Sequence, residues 1–135
     1  MSFEWLELYK LKSVGVEMAK TIKEKSFKFA LDIIDLYKEL VKNSEFVISK
    51  QLLKSGTSIG ANVSEAEAGS SKRDFLNKMA IASKEARETD YWLRLLDQSE
   101  LTDVNLDMYL SEIIEIKKML TSIVMTTQSN IKNSK

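Results

Sequence analysis

Two pairs of glutamates have a spacing that could support metal chemistry. Glu85 and Glu88 are three residues apart, and so are Glu112 and Glu115, so each pair would lie on one face of a helix. Carboxylates on facing helices can bridge two iron or manganese ions, but that class of site also uses Glu-x-x-His pairs, and the chain has no histidine. We therefore predict no metal and no cofactor. A site made of these four carboxylates alone is the rival interpretation.

The residue types that are missing argue against catalysis more generally. The chain contains neither histidine nor cysteine, which removes the commonest general base, the commonest metal ligand and the best nucleophile. Its serines and threonines therefore lack their usual catalytic base. We predict that the protein is not an enzyme.

A polar cluster is predicted around Glu85, Glu88, Tyr91 and Trp92. On a helix these residues would span about two turns. A buried carboxylate in this cluster must find a donor, because an unpaired buried charge is costly. The cluster could hold the protein together or could line a ligand groove, and we favour the structural interpretation.

Charge is distributed unevenly, although the twenty basic and twenty acidic residues balance. Residues 97–116 contain six acidic residues and no basic one, whereas residues 117–135 contain four lysines and no acidic one. In an up-down-up-down bundle the lysine-rich end of the fourth helix would lie beside the start of the first helix and the loop before the third. The basic residues expected at this end, called the basic rim below, are Lys20, Lys23, Lys25, Lys28, Lys72, Arg73 and Lys78.

The basic rim is a candidate site for RNA or DNA. Cations near helix N-termini, together with backbone N–H groups that lack a helical partner, suit the binding of phosphate. The alternative is a solvated surface, because a net charge of zero gives the whole protein no general attraction for a polyanion.

The rest of the sequence predicts the scaffold that would hold these residues. A chain of 135 residues with no proline, four glycines and 44% hydrophobic residues is typical of one all-α domain. The clearest helix is the third, which a capping box from Ser71 to Asp74 would start. Its apolar seam repeats at alternating spacings of four and three through Phe75, Met79, Ala82, Ala86, Thr89, Leu93 and Leu96.

Three further helices complete the prediction. The first would run over about residues 21–42, with a seam of Phe27, Ala30, Ile34, Tyr37 and Val41 that is widened by Leu31, Ile33 and Leu40. The second, capped by Ser44, would run to about residue 68 through Phe46, Leu52, Leu53, Ile59 and Val63. The fourth would follow a turn at residues 102–103 and bury Leu106, Tyr109, Ile113, Ile116, Leu120, Ile123 and Thr127.

We therefore predict an antiparallel up-down-up-down four-helix bundle over residues 21–128. Residues 1–20 would form an N-terminal arm, and residues 129–135 a frayed tail. Gly56, Gly60 and Ser64 are four apart on the second helix, which favours close approach of a neighbouring helix over a ligand slot. No apolar run approaches the ~18 residues that a membrane span needs, so we expect a soluble, cytoplasmic protein.

The third and fourth predicted helices carry more apolar residues than one bundle interior uses. The surplus residues are Leu76, Ile81, Trp92 and Leu95 on the third, and Met108, Ile114, Met119 and Val124 on the fourth. A second apolar face usually has a second partner, and we expect another copy of the same chain. A broad core stripe is the alternative.

Two segments carry a family resemblance: SGTSIGAN at residues 55–62 and KEARETDYWL at residues 84–93. Over about residues 25–127 the chain resembles the bacterial four-helix bundle proteins encoded in 23S rRNA intervening sequences. The resemblance implies a homopentameric barrel without an established enzymatic activity. It extends to the accessory protein of diversity-generating retroelements, for which it implies binding of nucleic acid and of a reverse transcriptase. An adaptor that recruits a protein partner through its oligomeric surface is the alternative function.

Overall fold

The computed structural model describes the backbone of residues 13–133 and the side chains of residues 21–133. This part of the chain forms four helices and no strand, which confirms the all-α prediction. The helices are α1 (Ser13–Lys42), α2 (Ile48–Glu67), α3 (Lys72–Ser99) and α4 (Asp107–Asn133). None of them is long and apolar enough, over the described residues, to cross a membrane. Residues 1–12 of the predicted arm lie outside the described residues, whereas residues 13–20 belong to α1, which begins earlier than the expected start near residue 21.

Each helix packs against the helices that neighbour it in a ring, α1 on α2, α2 on α3, α3 on α4 and α4 on α1. Gly60 of α2 lies against Ser26, while Gly56 lies against Ile33. Positions therefore rise along α1 as they fall along α2, so these two helices are antiparallel. With short connections at residues 68–71 and 100–106, this arrangement is that of an up-down-up-down bundle.

The predicted seams of α3 and α4 supply most of the core residues that these two helices contribute. All seven seam residues of α3 are buried, and of the seven predicted for α4 only Tyr109 keeps part of its side chain exposed. Regular spacing of three and four predicts these two helices well, because each of them has one dominant apolar stripe.

The predicted main seam of α1 is wrong, although Ile33 and Leu40, which were expected to widen it, are buried. Phe27 is 68% exposed, and the other four predicted seam residues are only partly buried. The side chains that face the core are instead Ile22, Ser26, Phe29, Ile33, Leu36 and Leu40. Both stripes repeat at three and four, so spacing alone does not decide which of them faces the bundle.

The start of α2 also differs from the prediction. Ser44 does not cap the helix; its backbone is left-handed, with φ of 69°. The Glu45 carboxylate accepts hydrogen bonds from the backbone N–H groups of Val47, Ile48 and Ser49. Burial favours a higher pKa for Glu45, but these donors outweigh it and the pKa lies below its usual range. A carboxylate thus satisfies N–H groups at the N-terminus of α2, where the helix dipole also favours a negative charge.

The start of α3 is as predicted. Ser71 precedes the first helical residue, and its hydroxyl accepts a hydrogen bond from the Asp74 N–H at 3.1 Å. The Asp74 carboxylate accepts a hydrogen bond from the Ser70 hydroxyl, which is the largest cause of the lowered pKa of Asp74. Local side-chain chemistry therefore determines where this helix begins.

The glycines of α2 allow α1 to approach closely. A Cβ atom added at Gly60 would lie 3.1 Å from the Ser26 carbonyl oxygen, and one added at Gly56 would lie 3.0 Å from the Ile33 side chain. These distances are tighter than ordinary van der Waals contact. Helix packing therefore explains the two mid-helix glycines, as predicted.

Replacing Gly60 with alanine is expected to lower the free energy of unfolding by about 1 kcal/mol, because overpacking costs roughly 1–3 kcal/mol and exceeds the gain of roughly 1 kcal/mol in helix propensity. The obstructing atom is a backbone oxygen of α1, which cannot move alone. Chemical denaturation measures the change. Ala61→Gly, at the exposed neighbouring position, is the control and should lose only the propensity contribution. A Gly60→Ala protein more stable than the parent would contradict this explanation.

Candidate interaction surfaces

The α1 lysines of the basic rim form ion pairs with other helices. Lys23 Nζ lies 2.7 Å from Glu67 Oε2 at the end of α2, and Lys25 Nζ lies 3.0 Å from Glu115 Oε1 of α4. Each pair is exposed to solvent and contributes little to stability. The pairs matter here because they partly neutralise the lysines that were expected to face a polyanion.

Lys28 joins a mixed cluster between α1 and α4. Its Nζ lies 2.9 Å from Asp32 Oδ2 and 3.5 Å from Glu112 Oε1. The hydrogen bond to Asp32, followed by the charge of Glu112, raises the pKa of Lys28. Burial and then the charge of Asp32 raise the pKa of Glu112, against the opposing effect of Lys28. The cluster is an electrostatic contact between two helices.

The four glutamates of the rival metal interpretation do not form a metal site in the described structure. Glu112 and Glu115 contact lysines, and within residues 21–133 no group of three or more acidic residues is arranged to hold a metal ion. The side chains of Glu85 and Glu88 form no ion pair in that range. The α4 glutamates act here as partners for the cations of α1.

The remaining members of the basic rim lie at the start of α3. Lys72 and Arg73 are exposed, and neither forms an ion pair with any described residue. Lys78 is partly buried and its charge helps to lower the pKa of the Asp74 carboxyl. The side chain of Lys20 lies outside the described residues. The Lys23–Glu67 pair places Lys23 of α1 beside the end of α2, and Lys72 and Arg73 follow that end of α2 directly along the chain, so these cations lie in the same half of the bundle.

The predicted polar cluster on α3 is not a single group. Glu88 and Tyr91 are exposed and Glu85 is partly buried. The rings of Tyr91 and Trp92 meet edge to face, with centroids 5.1 Å apart at an angle of 74°. Trp92 packs against the core, and its indole nitrogen is buried without a hydrogen-bond partner in the described structure. The contact that the structure shows among these residues is therefore the aromatic one, at the edge of the core.

Asp90 is a buried charge that the sequence reasoning missed. Its side chain is 8% exposed, and its Oδ2 lies 2.9 Å from Lys117 Nζ of α4 and 3.3 Å from Arg94 Nε. Two cations therefore compensate one nearly buried carboxylate, as a buried charge requires. The sequence pattern contained a signal for this burial, because Asp90 directly follows the seam residue Thr89 and so lies next to the apolar stripe of α3.

A second buried polar contact joins α2 to α3. The Thr89 and Ser55 hydroxyls are 2.9 Å apart, and the Thr89 hydroxyl also lies 2.8 Å from the Glu85 carbonyl oxygen. Both residues are completely buried. The contact lies between the two sequence segments that carry the family resemblance. It gives the buried hydroxyl of each helix a hydrogen-bond partner on the other helix.

A groove runs along the outer side of α1 and α2. Its volume is about 690 Å³, and Phe27 and Leu31 present exposed apolar side chains to it. Its full lining is Lys23, Glu24, Phe27, Lys28, Leu31, Gly60, Val63 and Ser64. The partly buried residues Ala30, Ile34, Tyr37 and Val41 continue the α1 stripe along the helix. This surface is a candidate docking site. The sequence analysis predicted that the same α1 stripe would face the core.

The surplus apolar face predicted on α3 and α4 is present only in part. Trp92, Met119 and Val124 pack against the core, and Leu76 is partly buried. The exposed members are Ile81, Leu95, Met108 and Ile114. A broad core stripe therefore explains about half of the set, and the other half is available to a partner.

Comparison with known proteins identifies relatives of this fold. The family model described as 23S rRNA-intervening sequence protein matches residues 19–122. A crystal structure from Bacteroides thetaiotaomicron, of a protein with unknown function from the S23 ribosomal protein family, is 49% identical in sequence. The match covers 80% of this chain and 98% of that chain, with a TM-score of 0.75. No curated protein matches the chain.

Replacing Asp90 with asparagine is expected to lower the free energy of unfolding by about 1–2 kcal/mol, because Lys117 is then left partly buried without its counter-charge. Adding Lys117→Met to this variant should recover part of the loss, since no lysine then lacks a partner. Chemical denaturation of the two single variants and the double variant measures the coupling. Glu88→Gln, at an exposed position on the same helix, is the control. Strictly additive effects would contradict the pairing.

Proposed function

The chain belongs to the 23S rRNA-intervening sequence protein family, and on this basis we propose that it is a non-enzymatic scaffold that assembles into a closed homo-oligomer. We propose five subunits, the number that the family resemblance implies. The observation that carries the proposal is the outward apolar stripe of α1, with its groove against α2. Large contiguous apolar surfaces on soluble proteins commonly mark interaction sites.

The apolar stripe extends along the second half of α1. It begins at Phe27 and Leu31 and continues through Ile34 and Tyr37 to Val41. A stripe of this length is more than scattered exposure of single apolar residues, which is normal on protein surfaces. It matches the surface that a helix of another subunit would cover by packing side by side with α1.

A closed ring needs two different surfaces on each subunit, because each contact is between unlike faces. The groove between α1 and α2 supplies one apolar surface. In the ring of four helices, α3 and α4 lie across the bundle from it. They expose Ile81 and Leu95 on α3 and Ile114 on α4. These residues supply candidates for the second surface.

The non-enzymatic part of the proposal is supported by composition. Without histidine or cysteine, catalysis would depend on carboxylates, lysines or hydroxyls alone. The carboxylates that lie close to one another in the described structure, Asp32 and Glu112, share Lys28 as a partner. A scaffold needs none of these groups to be reactive.

Replacing Phe27 and Leu31 together with aspartate is expected to reduce the oligomer to smaller species, because two charges would have to be buried at the subunit contact. Light scattering coupled to size-exclusion chromatography measures the mass, and circular dichroism checks that the bundle stays helical. Val47→Asp, at an exposed apolar residue near the opposite end of α1, is the control and should leave the mass unchanged. A monomeric parent protein, or an unchanged mass in the double variant, would overturn the proposal.

A second candidate function is weak binding of RNA or DNA at the start of α3. The supporting observation is that Lys72 and Arg73 are exposed without an ion-pair partner among the described residues. They lie in the first turn of α3, where the helix dipole favours an anion, although the Asp74 N–H already donates to the Ser71 hydroxyl. The α1 lysines support it less, because Lys23 and Lys25 already contact carboxylates. A ring of subunits would repeat the Lys72 and Arg73 site around one end of the assembly.

Replacing Lys72 and Arg73 with glutamine is expected to weaken binding of a short labelled single-stranded RNA and to lower the slope of log K against log salt by roughly one to two. Fluorescence anisotropy at ~50 mM and higher salt measures both quantities. Lys23→Gln with Lys25→Gln is the matched control, since it removes the same charge from lysines that are already paired. Equal losses in the two variants, or no binding by the parent, would rule out the α3 site.

A further inference from the structure

The end of the bundle that carries the α1–α2 and α3–α4 connections exposes several large apolar side chains. We call this surface, formed by residues 43–47 and 100–108, the loop end. Phe46 is 59% exposed and Val47 is 73% exposed in the first connection. Leu101 and Met108 are likewise exposed in the second connection and the first turn of α4. These four residues lie outside the α1–α2 groove and have no role in the proposed ring.

The two connections lie at the same end of the bundle. Lys25 of α1 lies 3.0 Å from Glu115 of α4, and Lys28 lies 3.5 Å from Glu112, so positions fall along α1 as they rise along α4. Burial is the largest cause of the raised pKa of Tyr109, and the charges of Asp32, Glu39 and Asp35 add to it. These carboxylates belong to α1, so the first turn of α4 lies beside the second half of α1. The apolar residues that follow α1 and those that flank the start of α4 are therefore at the same end of the bundle.

Hydrogen bonds and core contacts hold both connections in place. Glu45 accepts bonds from three backbone N–H groups that follow it. In the second connection the Val104 N–H donates to the Thr102 hydroxyl, and the Asp107 N–H donates to the Asn105 side chain. Ile48, Val104 and Leu106 pack into or against the core. Because these contacts hold the backbone of the first connection in place, the side chains of Phe46 and Val47 are kept exposed.

Negative charge borders this apolar surface on its α3–α4 side. Asp97, Glu100, Asp103 and Asp107 are exposed, and none forms an ion pair within the described chain. Residues 97–116 contain no lysine or arginine. Lys42 and Lys50 lie on the α1–α2 side, and their two positive charges are fewer than the four negative charges of these carboxylates. The loop end thus combines exposed apolar groups with an unpaired acidic border.

We propose that the loop end binds a basic amphipathic helix of a partner protein. The apolar face of such a helix covers Phe46, Val47, Leu101 and Met108, and its lysines or arginines face the acidic border. A nucleic acid or an anionic membrane would meet this border with like charge. The loop end of a second copy would bring the same carboxylates against it. Charge therefore selects a basic protein segment among these occupants.

A labelled synthetic helix of leucine and lysine, with its leucines on one face, is the probe. Fluorescence anisotropy should show binding to the protein, whereas the matched peptide with glutamate in place of lysine should not bind. Phe46→Ser combined with Met108→Ser is expected to weaken binding about tenfold or more, as loss of central apolar contacts does. Asp103→Asn with Asp107→Asn should weaken binding and reduce its salt dependence.

The control is Met125→Ser, which removes a side chain that is 63% exposed on α4, away from the loop end, and should leave the affinity unchanged. Circular dichroism verifies that each variant keeps its helical content. The proposal is overturned if the loop-end variants bind the basic peptide as the parent does, or if the acidic peptide binds equally well. A change of oligomer mass in the Phe46 and Met108 variant would show that the loop end contacts another subunit, and would overturn it too.

Discussion

The close approach of α1 to α2 controls which surfaces this protein presents. Gly60 has no side chain, which lets the Ser26 carbonyl oxygen of α1 approach to within 3.1 Å of the position that a Cβ atom would take. This contact holds α1 in one rotation about its own axis, with Phe29 and Ile33 facing the core and Phe27 facing outward. A rotated α1 would bury the other stripe and remove the groove. The packing of one helix pair thereby sets the apolar surface on which the proposed assembly depends.

The same rotation determines which charges are available. Lys23 points to α2, whereas Lys25 and Lys28 point to α4, and all three meet carboxylates there. Exposed ion pairs of this kind add little stability. Their main consequence is that the exposed residues of the basic rim without an ion-pair partner in the described structure are Lys72 and Arg73 at the start of α3, while unpaired carboxylates border the opposite end. A chain with zero net charge thus has two ends that differ in charge.

Polar groups inside the bundle give its packing specificity as well as stability. Asp90 is compensated by Lys117 and Arg94, and the hydroxyls of Ser55 and Thr89 meet between α2 and α3. Buried polar groups tolerate few alternative arrangements, because each must keep its partner. These contacts favour one alignment of α3 with its neighbours, and so help to position the apolar residues exposed on α3 and α4. The proposed functions, assembly and binding, depend on these exposed residues.

The sequence by itself determined the number of helices, the core faces of α3 and α4 and the start of α3. Those features depend on local patterns: a chain without proline, one dominant apolar stripe in each of the two helices, and the Ser71 cap. It also determined which side-chain chemistry is available, because the absence of histidine and cysteine follows from the sequence alone. Only the tertiary structure decided the orientation of α1, because both of its stripes have helical spacing and the choice depends on contact with Gly60. It likewise decided which charged residues are paired, because partners such as Asp90 and Lys117 lie on different helices and meet only when those helices pack.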